Sequence, residues 1–194
     1  GLAPEVSAPT IVITPGHTVE ITDPGLAAGD YLLLDFFPIE GDTEGRFHTD
    51  AGLVGHFTVA GDPADEVATT ETYTFALGSP ITGTAVLAAG HHVLGLERSG
   101  DQFGFPTLFR LEDGFGLDAA VTAMNDVFAA DVWPVGSGRT LAEHVVVSAY
   151  PPLDGDHFNL GVDLDPGTYV LVALGYDSHG FAFAGPEFIA LTVT

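Results

Sequence analysis

Residues 163–194 read DLDPGTYVLVALGYDSHGFAFAGPEFIALTVT, and the reading of this stretch decides the fold class. Asp165-Pro166-Gly167 is turn punctuation, because proline presets the backbone for a bend and glycine relieves the steric limits on it. Residues 168–174 form an apolar run of threonine, tyrosine, valine and leucine, the residue types that fit a pleated, buried surface. Residues 175–185 are glycine-rich and predict a loop. Residues 187–193 predict a closing strand. The unit is therefore turn, strand, loop, strand.

The same grammar extends upstream. Residues 10–14 (TIVIT) and 18–22 predict short strands, with Pro15-Gly16 between them and a Pro/Ala-rich extended arm before them. Asp23-Pro24-Gly25 then leads into a long apolar run, DYLLLDFF at 30–37. A polar loop (41–50) and a strand at 53–59 follow. Laid side by side, VEITDPG…GDYLLLDFF…GLVGHFTV matches VDLDPGTYVLVALGY…PEFIALTV in turn, Tyr-led strand, loop and final strand. Such self-similarity marks an internal repeat of one supersecondary unit. Residues 62–70 (DPADEVATT) read as a polar linker. Beyond it, strands are predicted at 71–77, 82–87, 91–98, 105–111, 140–149 and 158–164. Leu117, Ala120, Val121, Met124, Val127 and Phe128 recur at helical spacing, predicting one amphipathic helix over 117–129.

The Tyr-led strand, its loop and the last strand resemble the C-terminal end of the cupredoxins, the plastocyanin-like β-sandwiches that hold a single copper ion. The resemblance implies an all-β, cupredoxin-like Greek-key β-sandwich with one inserted α-helix, plus an N-terminal partial repeat of the sandwich. It divides the chain into 1–61, a half-sandwich repeat with its extended arm; 62–70, the linker; and 71–194, the cupredoxin-like domain. In the second copy the ligand positions are altered: Ala173 stands at the cysteine position, Phe181 at or near the histidine, and Gly185-Pro186 in place of Gly-Met. In the first copy His48 occupies the histidine position, Asp35 the cysteine position, and Gly52-Leu53 replaces Gly-Met. A blue-copper centre needs a thiolate. The chain has no cysteine, so the family's electron transfer is excluded, as are disulfides and thiolate metal sites.

Composition narrows the function further. Twenty-seven acidic residues stand against four arginines and no lysine, a formal charge of −23 over 194 residues. Non-specific nucleic-acid binding depends on cationic side chains displacing counterions, so it is excluded, and anionic membrane surfaces are disfavoured. The scattered acids fit a solvated surface in a salty or acidic exterior, or multivalent cation binding. No run approaches a membrane span. A β-rich, acidic, cysteine-free chain opening on Gly1-Leu2-Ala3-Pro4 reads as a processed, secreted protein of the extracellular space or cell surface.

Three constellations carry possible chemistry. His48, with Asp35 and His56, offers nitrogen and oxygen donors suited to Cu(II) or Zn. Asp154, Asp156, Asn159, Asp163 and Asp165 offer oxygen donors for Ca²⁺ but lack the spacing of a calcium loop. The phenylalanines 103, 105, 181 and 183 suggest an aromatic loop for a small ligand or glycan. Each has a plainer reading: satisfied histidines, turn chemistry and core packing. No nucleophile elbow or paired-carboxylate signature is present, so no enzyme and no resident cofactor is expected. A half-sandwich at 1–61 would leave apolar surface and open strand edges. It must dock onto its own chain or be completed by another copy. Donation of the strand Thr10, Ile11, Val12, Ile13 and Thr14 to a neighbouring copy would build a homopolymer, giving a structural filament or surface layer.

Overall fold

The structure, a computed structural model, describes residues 10–13, 18–21, 28–35, 39, 42–61, 68–76, 79–99, 103–111, 118, 145–150, 157–177 and 180–194. The chain forms two compact units, one of Gly1–Asp23 with Val67–Thr194 and one of Pro24–Glu66.

In the large unit the strands are β1 (Thr10–Ile13), β2 (Val19–Ile21), β5 (Glu71–Ala76), β6 (Ser79–Thr82), β7 (Val86–Leu87), β8 (Gly90–Arg98), β9 (Phe103–Leu111), β10 (Val145–Tyr150), β11 (His157–Leu164), β12 (Gly167–Asp177) and β13 (Gly180–Val193). The small unit holds β3 (Gly29–Leu34) and β4 (Val54–Val59). Two sheets make up the large unit, ordered β1-β10-β9-β12-β13-β7 and β2-β11-β8-β5-β6. Neighbours are antiparallel except β13 with β7 and β5 with β8. One core joins the sheets: Tyr73, Phe75, Leu94, Leu96, Leu160 and Val162 from the five-stranded sheet meet Leu108, Val147, Tyr169, Leu171, Leu191 and Val193 from the six-stranded one. The fold is all-β and sandwich-like.

Sequence pattern explains which faces are buried. On β11 and β8, inward Leu160, Val162, Leu94 and Leu96 alternate with outward positions, where His91 lies directly across from Asp163 at 3.1 Å. The alternation is one of residue type rather than of burial, because the outward Val93, Gly95, Asn159 and Gly161 are buried as well and only the strand ends reach solvent. On β12 the pattern is continuous: Tyr169, Val170, Leu171, Val172 and Ala173 are all at most 4% exposed. A strand buried on both faces needs an unbroken apolar run.

The turn before β12 is fastened by three side chains. The Tyr169 hydroxyl donates to the Asp165 carbonyl at 3.0 Å, a tyrosine corner of the kind that pins sandwich crossovers. Arg110 on β9 donates to the Asp165 carboxylate (3.2 Å) and the Pro166 carbonyl (3.3 Å), and its guanidinium lies 5.9 Å from the Tyr169 ring centroid. Burial is the main cause that raises the Tyr169 hydroxyl above its ordinary range, with the Arg110 charge opposing it.

Several expectations meet a different outcome. The glycine-rich stretch after β12 is not an open loop: β12 continues to Asp177 and β13 begins at Gly180. Gly185 and Pro186 together oppose the single residue Leu174, a bulge of the kind at which a strand accommodates proline. The run at 82–87 divides into the end of β6 and the short β7. The compact units also divide the chain differently from 1–61, 62–70 and 71–194, because β1 pairs with β10 and β2 with β11, which places the first two strands with the large unit. Apart from the exposed Asp118, the helix expected over 117–129 lies outside the described residues.

Candidate functional site

The small unit is a hairpin with an internal clasp. β3 and β4 pair antiparallel from Gly29↔Val59 to Leu34↔Val54. The aromatic rings of Tyr31 and Phe57, directly opposed, stack with centroids 5.3 Å apart. Between the strands, the described residues 42–52 bond to one another through polar groups. The Asp42 carboxylate accepts the Glu44 amide (2.7 Å) and Arg46 Nε (2.6 Å), a short-range motif that closes the polar loop. A 3₁₀ turn at His48–Ala51 follows and ends at Gly52, whose left-handed backbone (φ 87°) would strain any other residue.

That turn sets His48 beside Asp35. The Thr49 amide donates to the Asp35 carbonyl at 3.1 Å, the Leu53 amide to the His48 carbonyl at 3.1 Å, and the Asp35 amide to the Leu53 carbonyl. His48 Nδ1 then lies 2.8 Å from Asp35 Oδ2, with both side chains partly exposed. Two of the three expected metal-site residues are thus together. His56 is not with them: it pairs with Leu32, on the opposite face from Asp35, and its Nε2 lies 3.8 Å from Asp30. Among the described residues no group of three or more His, Cys, Asp or Glu side chains converges as a metal site.

The other candidates separate. Of the oxygen donors, Asn159 is buried on β11, Asp163 meets His91, and Asp165 meets Arg110; residues 154 and 156 lie outside the described residues. Phe103 and Phe105 lie on β9 and Phe181 and Phe183 on β13, in strands rather than a loop. Of the adjacent histidines, His91 is exposed, whereas His92 is buried with Nε2 donating to the Ala88 carbonyl at 2.7 Å. Thr10, Ile11, Val12 and Ile13 form β1 and pair with Tyr150, Ala149, Ser148 and Val147 of their own chain; Thr14 lies outside the described residues.

The most informative feature is a comparison inside the molecule. The β12–β13 hairpin pairs Gly167↔Val193, Thr168↔Thr192, Tyr169↔Leu191 and Val172↔Phe188. The β3–β4 hairpin pairs Gly29↔Val59, Asp30↔Thr58, Tyr31↔Phe57 and Leu34↔Val54. Residue for residue, the two repeats hold one register. Their surroundings differ. Leu171 is 2% exposed and Val170 and Val172 are 0%, but Leu33 is 59% exposed, Leu32 64% and Leu34 42%; Leu53, Val54 and Phe57 are exposed as well. β12 has β9 along its outer edge. Within its two-stranded sheet β3 has only β4. The sequence signal for this surface is the unbroken run Tyr31–Leu34, which has the composition of a strand buried on both faces.

Comparison with protein-family models, with curated proteins and with solved structures finds no match. No helix among the described residues is long and apolar enough to cross a membrane.

Proposed function

We propose that this chain is a non-enzymatic, extracellular structural protein, a degenerate cupredoxin-like Greek-key sandwich kept for its shape, which associates with copies of itself in a filament or surface layer. One observation carries the reading: a hairpin with the register of the β12–β13 unit, whose Tyr169–Ala173 run is buried, has Leu32, Leu33, Leu34, Val54 and Phe57 exposed. A lone two-stranded hairpin is at best marginally stable in water, and clustered exposed apolar side chains mark interaction surfaces. The surface assigned to association is this hairpin rather than Thr10–Thr14, because β1 already pairs with β10. The high acidity suits a protein that stays dispersed until its contacts form. Sedimentation of the native chain over a concentration series tests the reading. Reversible growth in mass is expected, and a monomer at every concentration refutes it.

A second reading has its own support. Asp35 and His48 occupy the positions that the cupredoxin resemblance would make metal ligands, and they lie 2.8 Å apart. On this reading the chain is a secreted copper-handling module, with Cu(II) or Zn held by His48, Asp35 and a ligand from outside the hairpin. Titration with Cu(II) and Zn, read by electron paramagnetic resonance and calorimetry, decides it. Binding lost in His48→Ala supports the module, and no binding above that of the variant removes it.

A further inference from the structure

We propose that β3 is the contact strand, pairing antiparallel with β3 of a second copy along its outer edge, where no strand among the described residues lies, to make a continuous sheet β4-β3-β3-β4. This rests on the self-association reading above and names its geometry. Three observations select it.

The first is the template within the chain. Where the same hairpin is complete, the outer edge of its Tyr-led strand is taken by an antiparallel neighbour: Thr168, Val170 and Val172 of β12 pair with Leu111, Phe109 and Thr107 of β9. The corresponding residues of β3 are Asp30, Leu32 and Leu34. The Asp35 amide points inward, to Leu53. Main-chain groups alternate along an antiparallel strand, so those of Asp30, Leu32 and Leu34 point outward from the hairpin. The β4 edge is the weaker candidate, since among the described residues its counterpart β13 takes an outer neighbour only at Thr192–Val193.

The second is charge. From Gly29 to Asp35 the acids stand only near the ends, at Asp30 and Asp35. Antiparallel pairing centred on Leu32 sets Leu32 against Leu32, Tyr31 against Leu33, Asp30 against Leu34 and Gly29 against Asp35. No two carboxylates are directly opposed in this register. Centring the pair between Leu32 and Leu33 would oppose Asp30 and Asp35, which is destabilising. The strand can thus pair with itself without directly opposed carboxylates.

The third is parity. In that register Tyr31 and Leu33 of both copies share one face and Leu32 and Leu34 share the other, so each exposed leucine gains apolar neighbours. The pairing is isologous and closes at a dimer, which is then the unit that any longer assembly repeats. Because both partners carry the same −23 charge, the contact strengthens as salt screens their repulsion. A cationic partner would give the opposite trend.

The test is sedimentation of the full chain at low and high sodium chloride, paired with amide hydrogen exchange. The expected result is a monomer–dimer equilibrium displaced toward dimer by salt, with the Asp30, Leu32 and Leu34 amides protected only in the dimer. Leu32→Pro, which removes one outward N–H, is expected to be monomeric, and Leu32→Thr, which retains it, to dimerise. An associated chain whose Leu32 and Leu34 amides exchange freely, or a Leu32→Pro chain that still dimerises, overturns the β3 contact and leaves self-association standing. Dimerisation that salt weakens overturns the like-charged partner. A monomer under all conditions overturns both.

Discussion

Leu33 and Leu171 are equivalent residues of the repeat, and truncating each to alanine measures what surrounds the two hairpins. Leu171 is 2% exposed, pairs with Leu108 and Ile189, and belongs to the inter-sheet core. Leu171→Ala removes its transfer free energy and leaves a cavity, at a cost of about 3 kcal/mol. Leu33 is 59% exposed and faces Gly55 across the ladder. About two-fifths of its surface is buried, and full burial of a leucine is worth roughly 2–3 kcal/mol, so Leu33→Ala costs on the order of 1 kcal/mol in the monomer with no cavity term. Because Leu33 lies in the separate small unit, that loss falls outside the main transition. Urea unfolding followed by far-ultraviolet circular dichroism, at concentrations low enough to hold the chain monomeric, reads the difference. Leu171→Ala is expected to lower the main midpoint strongly and Leu33→Ala to leave it in place. Equal shifts from the two variants would refute the assignment of different surroundings to the two copies.

Other consequences follow from the large unit. Tyr169→Phe removes the hydroxyl bond to the Asp165 carbonyl and is expected to cost about 1 kcal/mol, measured by the same unfolding assay. Gly83→Ala would set its Cβ 2.3 Å from the ring of Tyr73, which is fully buried; the resulting shift of ring or backbone is expected to cost about 1–3 kcal/mol and to appear as a lower melting temperature. Burial, with the Glu71 charge adding to it, pushes the Tyr73 hydroxyl up to about 12. The fold therefore favours the neutral phenol. Its contribution is fully present below the unfolded-chain value near 10 and is lost as pH rises from there through 12, an effect on the order of 2 kcal/mol. Tyr73→Phe should flatten the fall in stability over that window, and an unchanged pH profile would contradict it.

The strands were legible in the sequence because proline and glycine punctuate them and β-branched or aromatic residues fill the runs between. The repeat was legible too, since Gly29, Tyr31 and Leu33 recur as Gly167, Tyr169 and Leu171. What escaped was decided by pairing partners distant in sequence. Glycine-rich residues 175–185 read as a loop, yet β9 and a bulge at Gly185-Pro186 draw nearly all of them into strands. The division between the compact units at Glu66 and Val67 falls within the polar stretch at 62–70, but local composition does not reveal that β1 and β2 pair with β10 and β11, more than a hundred residues on. At the candidate site, Asp35 and His48 were found by position in the repeat. Their separation from His56 follows from strand parity, which required knowing where β4 pairs. The run at 30–37 read as a long apolar strand of an incomplete sandwich, and the exposure of Leu32, Leu33 and Leu34 is the apolar surface which that incompleteness implies.

Side-chain footprinting of the intact chain across a dilution series tests the covered-hairpin claim most directly. Val86 on β7, 62% exposed, provides an internal control for Leu32 at 64%. Labelling of Leu32, Leu33 and Leu34 is predicted to fall as concentration rises while that of Val86 holds steady. Labelling of the three leucines that stays constant at every concentration would contradict it.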